Sequence, residues 1–259
     1  LEIIDIIGKS KQGIVTIGEL SKVLKVSEMT IRRDLDWLAE REVLTRVHGG
    51  AMAYQSSPEK SFTDRIRQSD HQKSSVGWTA AQLVQDGDKL LLDAGTTTQQ
   101  VARNLTGKNN LTVITNNIHI ANDLYQYPTI ETIMLGGTVK HQENCTVGPM
   151  VKQELAVFSV DKLFLSASGF HIMHGITDHD MREVEVKQAM IQIAAEIILV
   201  ADSSKYNIVA LMKICNLQTV KTIVTDNGIS AEAGEAIENE GIQLITPERV
   251  ASNIVGRNS

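Results

Sequence analysis

Lys89-Leu90-Leu91-Leu92-Asp93-Ala94-Gly95-Thr96-Thr97-Thr98 changes character twice within a short span. Leu90 to Leu92 is a continuous apolar run, the pattern of a strand covered on both faces. Asp93-Ala94-Gly95 breaks the run, and the threonines open a helix predicted to reach about Asn104. Strand, glycine loop and helix in that order form half of a βα unit, and repeated units of this kind build a parallel sheet with helices on its faces.

The same alternation extends in both directions. A helix is predicted over 74–84, closed by Asp86-Gly87. Strands are predicted over 111–114, 130–135, 162–165, 197–201, 221–225 and 242–245, with helices over 117–125, 149–158, 180–195 and 231–240. Gly136-Gly137 closes the strand over 130–135, and Ser166-Ala167-Ser168-Gly169 follows the strand over 162–165. In such sheets ligands bind where strands end and loops open.

Before residue 50 the pattern is different. Ile3, Ile4, Ile6 and Ile7 have helical spacing over 1–9. Thr16-Ile17-Gly18-Glu19 is a capping box that starts a short helix with Leu20, Val23 and Leu24 inward. Ser27 is the next N-cap, and its helix runs to about Glu40, burying Ile31, Leu35 and Leu38. Residues 43–47 alternate as a hairpin strand. Two short helices and a small strand pair predict a winged helix-turn-helix over 1–53. A linker over 54–72 contains Ser56-Ser57-Pro58 and a short helix over 61–69, and the larger domain occupies 73–259. The second helix carries Ser27, Glu28, Met29, Thr30, Arg32 and Arg33, where a recognition helix meets bases and phosphates. Arg41, Arg46 and His48 sit on the expected wing. A three-helix cap with solvated arginines has the same periodicity, so the pattern alone leaves both readings open.

The composition narrows the classes. The chain has 259 residues, a net charge of −6 and 4% aromatics, so Leu, Ile, Val and Ala fill the core. Residues 1–50 hold eight Lys or Arg and eight Asp or Glu, so the acidity resides beyond residue 50. Two cysteines, Cys145 and Cys215, fit a reducing cytoplasm better than a disulfide framework. No apolar run predicts a membrane span, and no export signal is expected. The chain begins at Leu1 rather than Met.

The Asp93–Thr98 junction admits two readings. Gly95 lets backbone approach an anion, and the following helix N-terminus supplies N–H groups for a phosphate. Alternatively, the threonines only cap the helix. Glu183 and Lys187, four apart, are either a surface ion pair or a polar pair facing sugar hydroxyls. Asp202-Ser203-Ser204-Lys205 follows a strand, where Lys205 either holds a phosphate or is solvated. His171, His174 and His179 are read as surface histidines, so no metal is expected. Asp93, Glu183, Lys187 and Lys205 also leave open an enzyme, a phosphosugar isomerase with an accessory domain.

Taken together, these residues resemble a known family. Val26-Ser27-Glu28-Met29-Thr30-Ile31-Arg32-Arg33-Asp34-Leu35 and Arg46-Val47-His48-Gly49-Gly50-Ala51 resemble the DNA-binding signature of the DeoR family of bacterial sugar-catabolism regulators. Asp93 to Thr98, Thr115-Asn116, Leu135-Gly136-Gly137, Glu183 with Lys187, and Asp202 to Lys205 continue the match in the family's order. The resemblance implies an effector domain related in fold to ribose-5-phosphate isomerase, with a phosphorylated sugar as effector. It implies a phosphate loop of Asp93, Gly95, Thr96, Thr97 and Thr98. Thr115, Asn116, Gly136, Gly137, Glu183, Lys187, Asp202 and Lys205 line the rest of the implied pocket. It further implies a cytoplasmic repressor that binds operator DNA as a homodimer or homotetramer, with no catalytic residues and no cofactor. The chain departs from the family pattern at Leu165-Ser166 and Gly169-Phe170-His171, positions that bear on the pocket wall and the choice of sugar.

Overall fold

The computed structural model describes residues 3, 6, 14–39, 44–47, 50–53 and 70–250. The chain divides into two compact units, Leu1–Lys60 and Ser61–Ser259. Ile3 and Ile6 are helical, as the helix over 1–9 requires; the short helix expected over 61–69, and Arg41 and His48, lie outside the described residues.

The first unit contains β1 (Ile14–Thr16), α1 (Ile17–Leu24), α2 (Glu28–Ala39), β2 (Leu44–Val47) and β3 (Gly50–Ala53). The capping box forms: Thr16 Oγ1 accepts from the Glu19 amide at 3.2 Å, and Glu19 Oε2 accepts from the Thr16 amide at 2.8 Å. Lys25 adopts left-handed backbone (φ 55°) and ends α1. Ser27 Oγ then accepts from the Thr30 amide at 3.1 Å and starts α2. Val15, Ile17, Leu20, Ile31, Leu35 and Ala51 form one small core, with Leu24 and Leu38 partly buried against it. Val23, expected inward, is 61% exposed. Ile17, Leu20 and Leu24 already complete the buried stripe at spacings of three and four, and Val23 lies beside it. β3 pairs antiparallel with both β2 and β1, giving three strands where the sequence pointed to two. β1 has three residues, too few for alternation to show. The unit is a winged helix-turn-helix.

The second unit begins with α3 (Asp70–Ala81), β4 (Lys89–Leu92), α4 (Thr96–Arg103), β5 (Leu111–Thr115), α5 (Ile118–Leu124) and β6 (Ile130–Met134). A hairpin of β7 (Thr138–Lys140) and β8 (Cys145–Val147), then α6 (Pro149–Leu155), lead to β9 (Val160–Leu165). Next come β10 (Gly169–His171), β11 (Gly175–Asp178), α7 (Met181–Ile193), β12 (Ala194–Val200) and β13 (Met212–Cys215). β14 (Thr222–Val224), α8 (Ala231–Asn239) and β15 (Gln243–Ile245) complete the described elements.

Seven strands form one parallel sheet in the order β15-β14-β12-β9-β4-β5-β6. Successive side chains on a strand point to opposite faces. Leu91, Ile114, Leu163, Leu199 and Ile223 accordingly pack in one core, and Leu90, Leu92, Val113, Phe164, Ile198 and Val224 in another. This is why the central strands read as unbroken apolar runs. Antiparallel β10-β11-β13 forms a separate sheet. That sheet and the β7-β8 hairpin are absent from the sequence expectations, because their short strands carry no clear period. Several boundaries also shift. α3 starts at Asp70, α6 ends at Leu155, and α7 passes directly into β12 at Ala194.

Candidate functional site

β4 and β9 lie side by side at the centre of the sheet, yet the chain leaves them in opposite directions. From β4 it proceeds to β5; on the far side β9 is flanked by β12. The loops after such a pair diverge and leave a crevice at the carboxyl ends of the strands. That crevice is lined by Gly95, Thr96 and Thr97 after β4 and by Ser166, Ala167 and Ser168 after β9. Asp178, Glu183, Lys187, Asp202, Ser204, Lys205 and Lys73 also line it.

Asp93 lies beneath the crevice and ties its two rims together. Its Oδ1 accepts from the Ala94 amide at 2.7 Å. Its Oδ2 accepts from the Ser166 amide at 3.0 Å, the Ser166 hydroxyl at 2.7 Å and Lys187 Nζ at 2.6 Å. The rims approach so closely that a Cβ on Gly95 would stand 2.7 Å from Ser166 Cβ and Oγ. Gly95 has ordinary extended backbone (φ −173°), so crowding rather than torsion requires the glycine. The Thr98 hydroxyl turns inward, donating to the carbonyls of Asp93 (2.7 Å) and Gly95 (2.9 Å). Thr96 and Thr97 remain at the crevice, on the first turn of α4.

The sequence-identified effector residues therefore fall into three groups. Gly95, Thr96, Thr97, Glu183, Lys187, Asp202 and Lys205 share the crevice lining. Asp93 and Thr98 brace it from below. Thr115, Asn116, Gly136 and Gly137 belong to the adjoining strand ends and the β7-β8 hairpin. Thr115 Oγ1 donates to the Leu92 carbonyl at 2.7 Å, and Asn116 Nδ2 to the Thr146 carbonyl at 2.9 Å. The Gly136 amide donates to Glu154 Oε2 at 2.7 Å. Gly137 has φ +140°, and a Cβ there would crowd Val151 and the Val147 carbonyl.

The floor of the crevice carries a buried network of charge. Lys187 Nζ faces Asp93 Oδ2 and, at 3.1 Å, Asp178 Oδ2. Lys140 Nζ pairs with Glu183 and, at 3.2 Å, with Asp180 Oδ2. Burial works against the charge on Lys187, but Asp93, Asp178 and Glu183 outweigh it and hold the ammonium above the usual lysine range. Burial also opposes charge on Asp178, yet Lys187 and the Ser168 hydroxyl keep it below the usual carboxylate range. Glu183 goes the other way. Burial, then the neighbouring Asp178 charge, push it up to about 7 against the pull of Lys187 and Lys140. Cys145 is raised to about 12, chiefly by burial and then by Glu183 and Asp93, so its thiol is not reactive.

Sequence reasoning missed Lys73, Lys140 and Asp178; it quoted Ser168 and Ser204 in strand-end loops without assigning them to the pocket, and flagged Ser166 only as a departure bearing on the pocket wall. Lys140 and Asp178 lie on short strands that carry no periodic signal. Lys73 lies in the first turn of α3, ahead of the expected start of that helix. The His171 and His174 rings lie 4.7 Å apart between centroids, and His171 Nδ1 accepts from the Met173 amide at 2.9 Å. His179 donates its amide to Asp178 Oδ1. Among the described residues, no group of His, Cys, Asp and Glu is arranged to hold a metal ion.

In the first unit, α2 presents a polar outer face. Met29, Arg32 and Arg33 are exposed, as are Ser27 and Glu28, whereas Thr30 is half-buried. Arg32 Nη2 lies 3.9 Å from Glu28 Oε2, one turn away. Arg46 stands on β2, opposite Ala51.

A winged helix-turn-helix joined to a parallel-sheet domain with a polar crevice defines a class: a DNA-binding regulator with a sensor domain. Residues 2–57 match the DeoR-like helix-turn-helix domain, and residues 68–227 match the DeoR C terminal sensor domain. The chain belongs to the DeoR family of transcriptional regulators and is a regulator rather than an enzyme. It is 31% identical over 242 residues to the HTH-type transcriptional repressor CsqR of Escherichia coli strain K12, which spans 93% of each chain. It is 33% identical over 215 residues to the glycerol-3-phosphate regulon repressor of Haemophilus influenzae, covering 83% of this chain and 84% of that one. Among solved structures it is similar to ribose 5 phosphate isomerase A from Neisseria gonorrhoeae, with a TM-score of 0.40 and 15% identity over 54% of this chain and 55% of that one. Among the described residues, no helix is long and apolar enough to cross a membrane.

Proposed function

We propose that this protein represses a sugar-utilisation operon, and that a phosphorylated sugar held in the crevice changes its grip on operator DNA. The observation that carries the reading is the mixed chemistry of the crevice. The first turn of α4 contributes Thr96 and Thr97, and helix N-termini attract phosphate through unpaired N–H groups and the helix dipole. Lys205 adds a positive charge. Asp178, Glu183 and Asp202 add carboxylates suited to accept from sugar hydroxyls. One relative, named as a glycerol-3-phosphate regulon repressor, adds support for a phosphorylated polyol.

Under this reading, Asp93, Thr98, Thr115, Asn116, Gly136 and Gly137 shape the crevice from outside its lining. Ser27, Glu28, Met29, Thr30, Arg32 and Arg33 read operator DNA from α2, and Arg46 and His48 grip it from the wing. The working form is a homodimer or homotetramer in the cytoplasm, because two recognition helices read paired half-sites. Sugar binding releases the DNA.

The test measures binding to the DNA upstream of the protein's own gene while a panel of phosphosugars is titrated. One member is expected to weaken binding about 5–150-fold, the usual size of coupling between sites. An unchanged affinity across the panel, with binding of the same sugars excluded by calorimetry, overturns the reading.

A further inference from the structure

Two lysines, Lys140 and Lys187, serve the carboxyl groups of Asp93, Asp178, Asp180 and Glu183 in the crevice floor. The supply of hydrogen-bond donors among those groups is uneven. Asp93 accepts from the Ala94 and Ser166 amides, the Ser166 hydroxyl and Lys187. Asp178 accepts from the Ser168 hydroxyl and the His179 amide and also faces Lys187. Asp180 has the Arg182 amide at 2.8 Å and the Arg182 guanidinium at 3.0 Å as well as Lys140. Among the described residues, the Glu183 carboxyl has Lys140 as its one donor, at Oε1. Glu183 lines the crevice, and Oε2 is the oxygen left to meet a ligand there.

A buried carboxylate keeps its charge only when donors replace the water it has lost. Glu183, with the fewest donors, is the group in this floor that holds its charge least well. Burial and then Asp178 push it up to about 7. The other charged groups around it are fixed across the neutral range. Lys187 of α7 is held above the usual lysine range, and Arg182 of the same helix is raised by Asp180. Asp178 of β11 and Asp180, the N-cap of α7, are held below the usual carboxylate range. The Cys145 thiol of β8 is raised to about 12. Asp202 and Lys205 after β12 and Lys73 of α3 share the crevice. An anion on the first turn of α4 adds negative charge to that same space, and like charge disfavours an ionised carboxyl.

We propose that Glu183 holds the crevice ligand as a neutral acid: an anion entering the crevice draws a proton from solvent onto Oε2, whose O–H then donates to a ligand oxygen. Oε1 continues to accept from Lys140, and a neutral acid keeps acceptor capacity for a sugar hydroxyl. Glu183 is thus a specificity residue that asks for an acceptor oxygen on the ligand beside it. The sign of the pH dependence follows. Binding is strongest where Glu183 already carries its proton, and it weakens as pH rises through about 7, because the proton must then be taken up. This inference rests on the crevice being the anion site proposed above and adds the protonation state in which it binds.

Calorimetry with inorganic sulfate, an anion that does not itself titrate in the neutral range, tests this on the full-length protein. Titrations in two buffers of different ionisation enthalpy count the protons taken up on binding. The wild type is expected to take up about half a proton per site near pH 7 and to lose about fivefold in affinity from pH 7 to pH 8. Glu183→Gln, which carries a permanently neutral side chain, is expected to bind sulfate with no proton uptake and no pH dependence across that interval. A proton gained by any other group persists in the variant, so uptake that survives the substitution overturns the role of Glu183. Wild-type binding of sulfate without proton uptake overturns it too, and leaves the anion site standing. No binding of sulfate at any pH overturns the anion site and the Glu183 inference with it.

Discussion

Lys187 Nζ stands 2.6 Å from Asp93 Oδ2, with side-chain exposures of 2% and 1%. The pair joins α7 to the loop after β4 and, through Ser166, to the loop after β9. A buried pair of this kind is a poor source of net stability, because desolvation offsets its attraction. Its effect here is geometric, since it fixes the two rims of the crevice relative to each other.

Removing one partner is a different matter. Lys187→Met leaves Asp93 and Asp178 buried without their cation, and is expected to destabilise the sensor domain by about 3–5 kcal/mol. Lys187→Met combined with Asp93→Asn should recover part of that loss. Urea unfolding followed by circular dichroism measures both. A single variant as stable as the wild type would show that the network contributes nothing to the fold.

Glu183 gives the sensor domain a distinctive pH response. Its folded value of about 7 lies above its ordinary value of 4.5. The folded state therefore holds a proton that the unfolded state has released, and stability falls as pH rises from about 4.5 to about 7. The size is on the order of 1–3 kcal/mol. Asp178 and Asp180, which also face this network, are held below their ordinary range, so their contribution is lost only at lower pH. Lys187, held above the usual lysine range, stays charged throughout the window. Unfolding measured at several pH values for wild type and Glu183→Gln checks this: the wild type should lose stability across the window relative to the variant, and parallel curves would refute it.

Gly77→Ala reverses the usual helix rule. Alanine in place of glycine normally favours a helix by about 1 kcal/mol. Here the added methyl would meet Gln100 backbone and Cβ at well under contact distance. Overpacking of this kind costs about 1–3 kcal/mol, so the substitution is expected to be net destabilising. Thermal unfolding decides the sign, and a raised Tm would contradict the close approach of α3 and α4.

On α2, Arg32→Ala and Arg33→Ala test the proposed DNA-reading face. Loss of a bidentate base contact costs about 1–3 kcal/mol of discrimination, and loss of a phosphate contact lowers the salt dependence of binding by about one unit of slope. Fluorescence anisotropy on operator and scrambled duplexes at several salt concentrations tells which arginine does which. Unchanged affinity and slope in both variants would remove α2 as the reading helix.

What could be read from the chain alone was whatever is encoded by neighbours. The Thr16–Glu19 box and the Ser27 cap start their helices because a hydroxyl satisfies amides two or three residues away. Leu90 to Leu92 reads as a strand buried on two faces because β geometry alternates its side chains between two cores. The winged helix-turn-helix and the repeated βα units follow from such local rules. The crevice does not. It exists because β9 lies beside β4, a pairing between residues about seventy positions apart that no local period records. That adjacency brings Ser166 against Gly95 and sets Lys187 between Asp93 and Asp178. It is long-range strand order, together with short strands too brief to show a pattern, that put Lys73, Lys140 and Asp178 beyond the reach of the sequence.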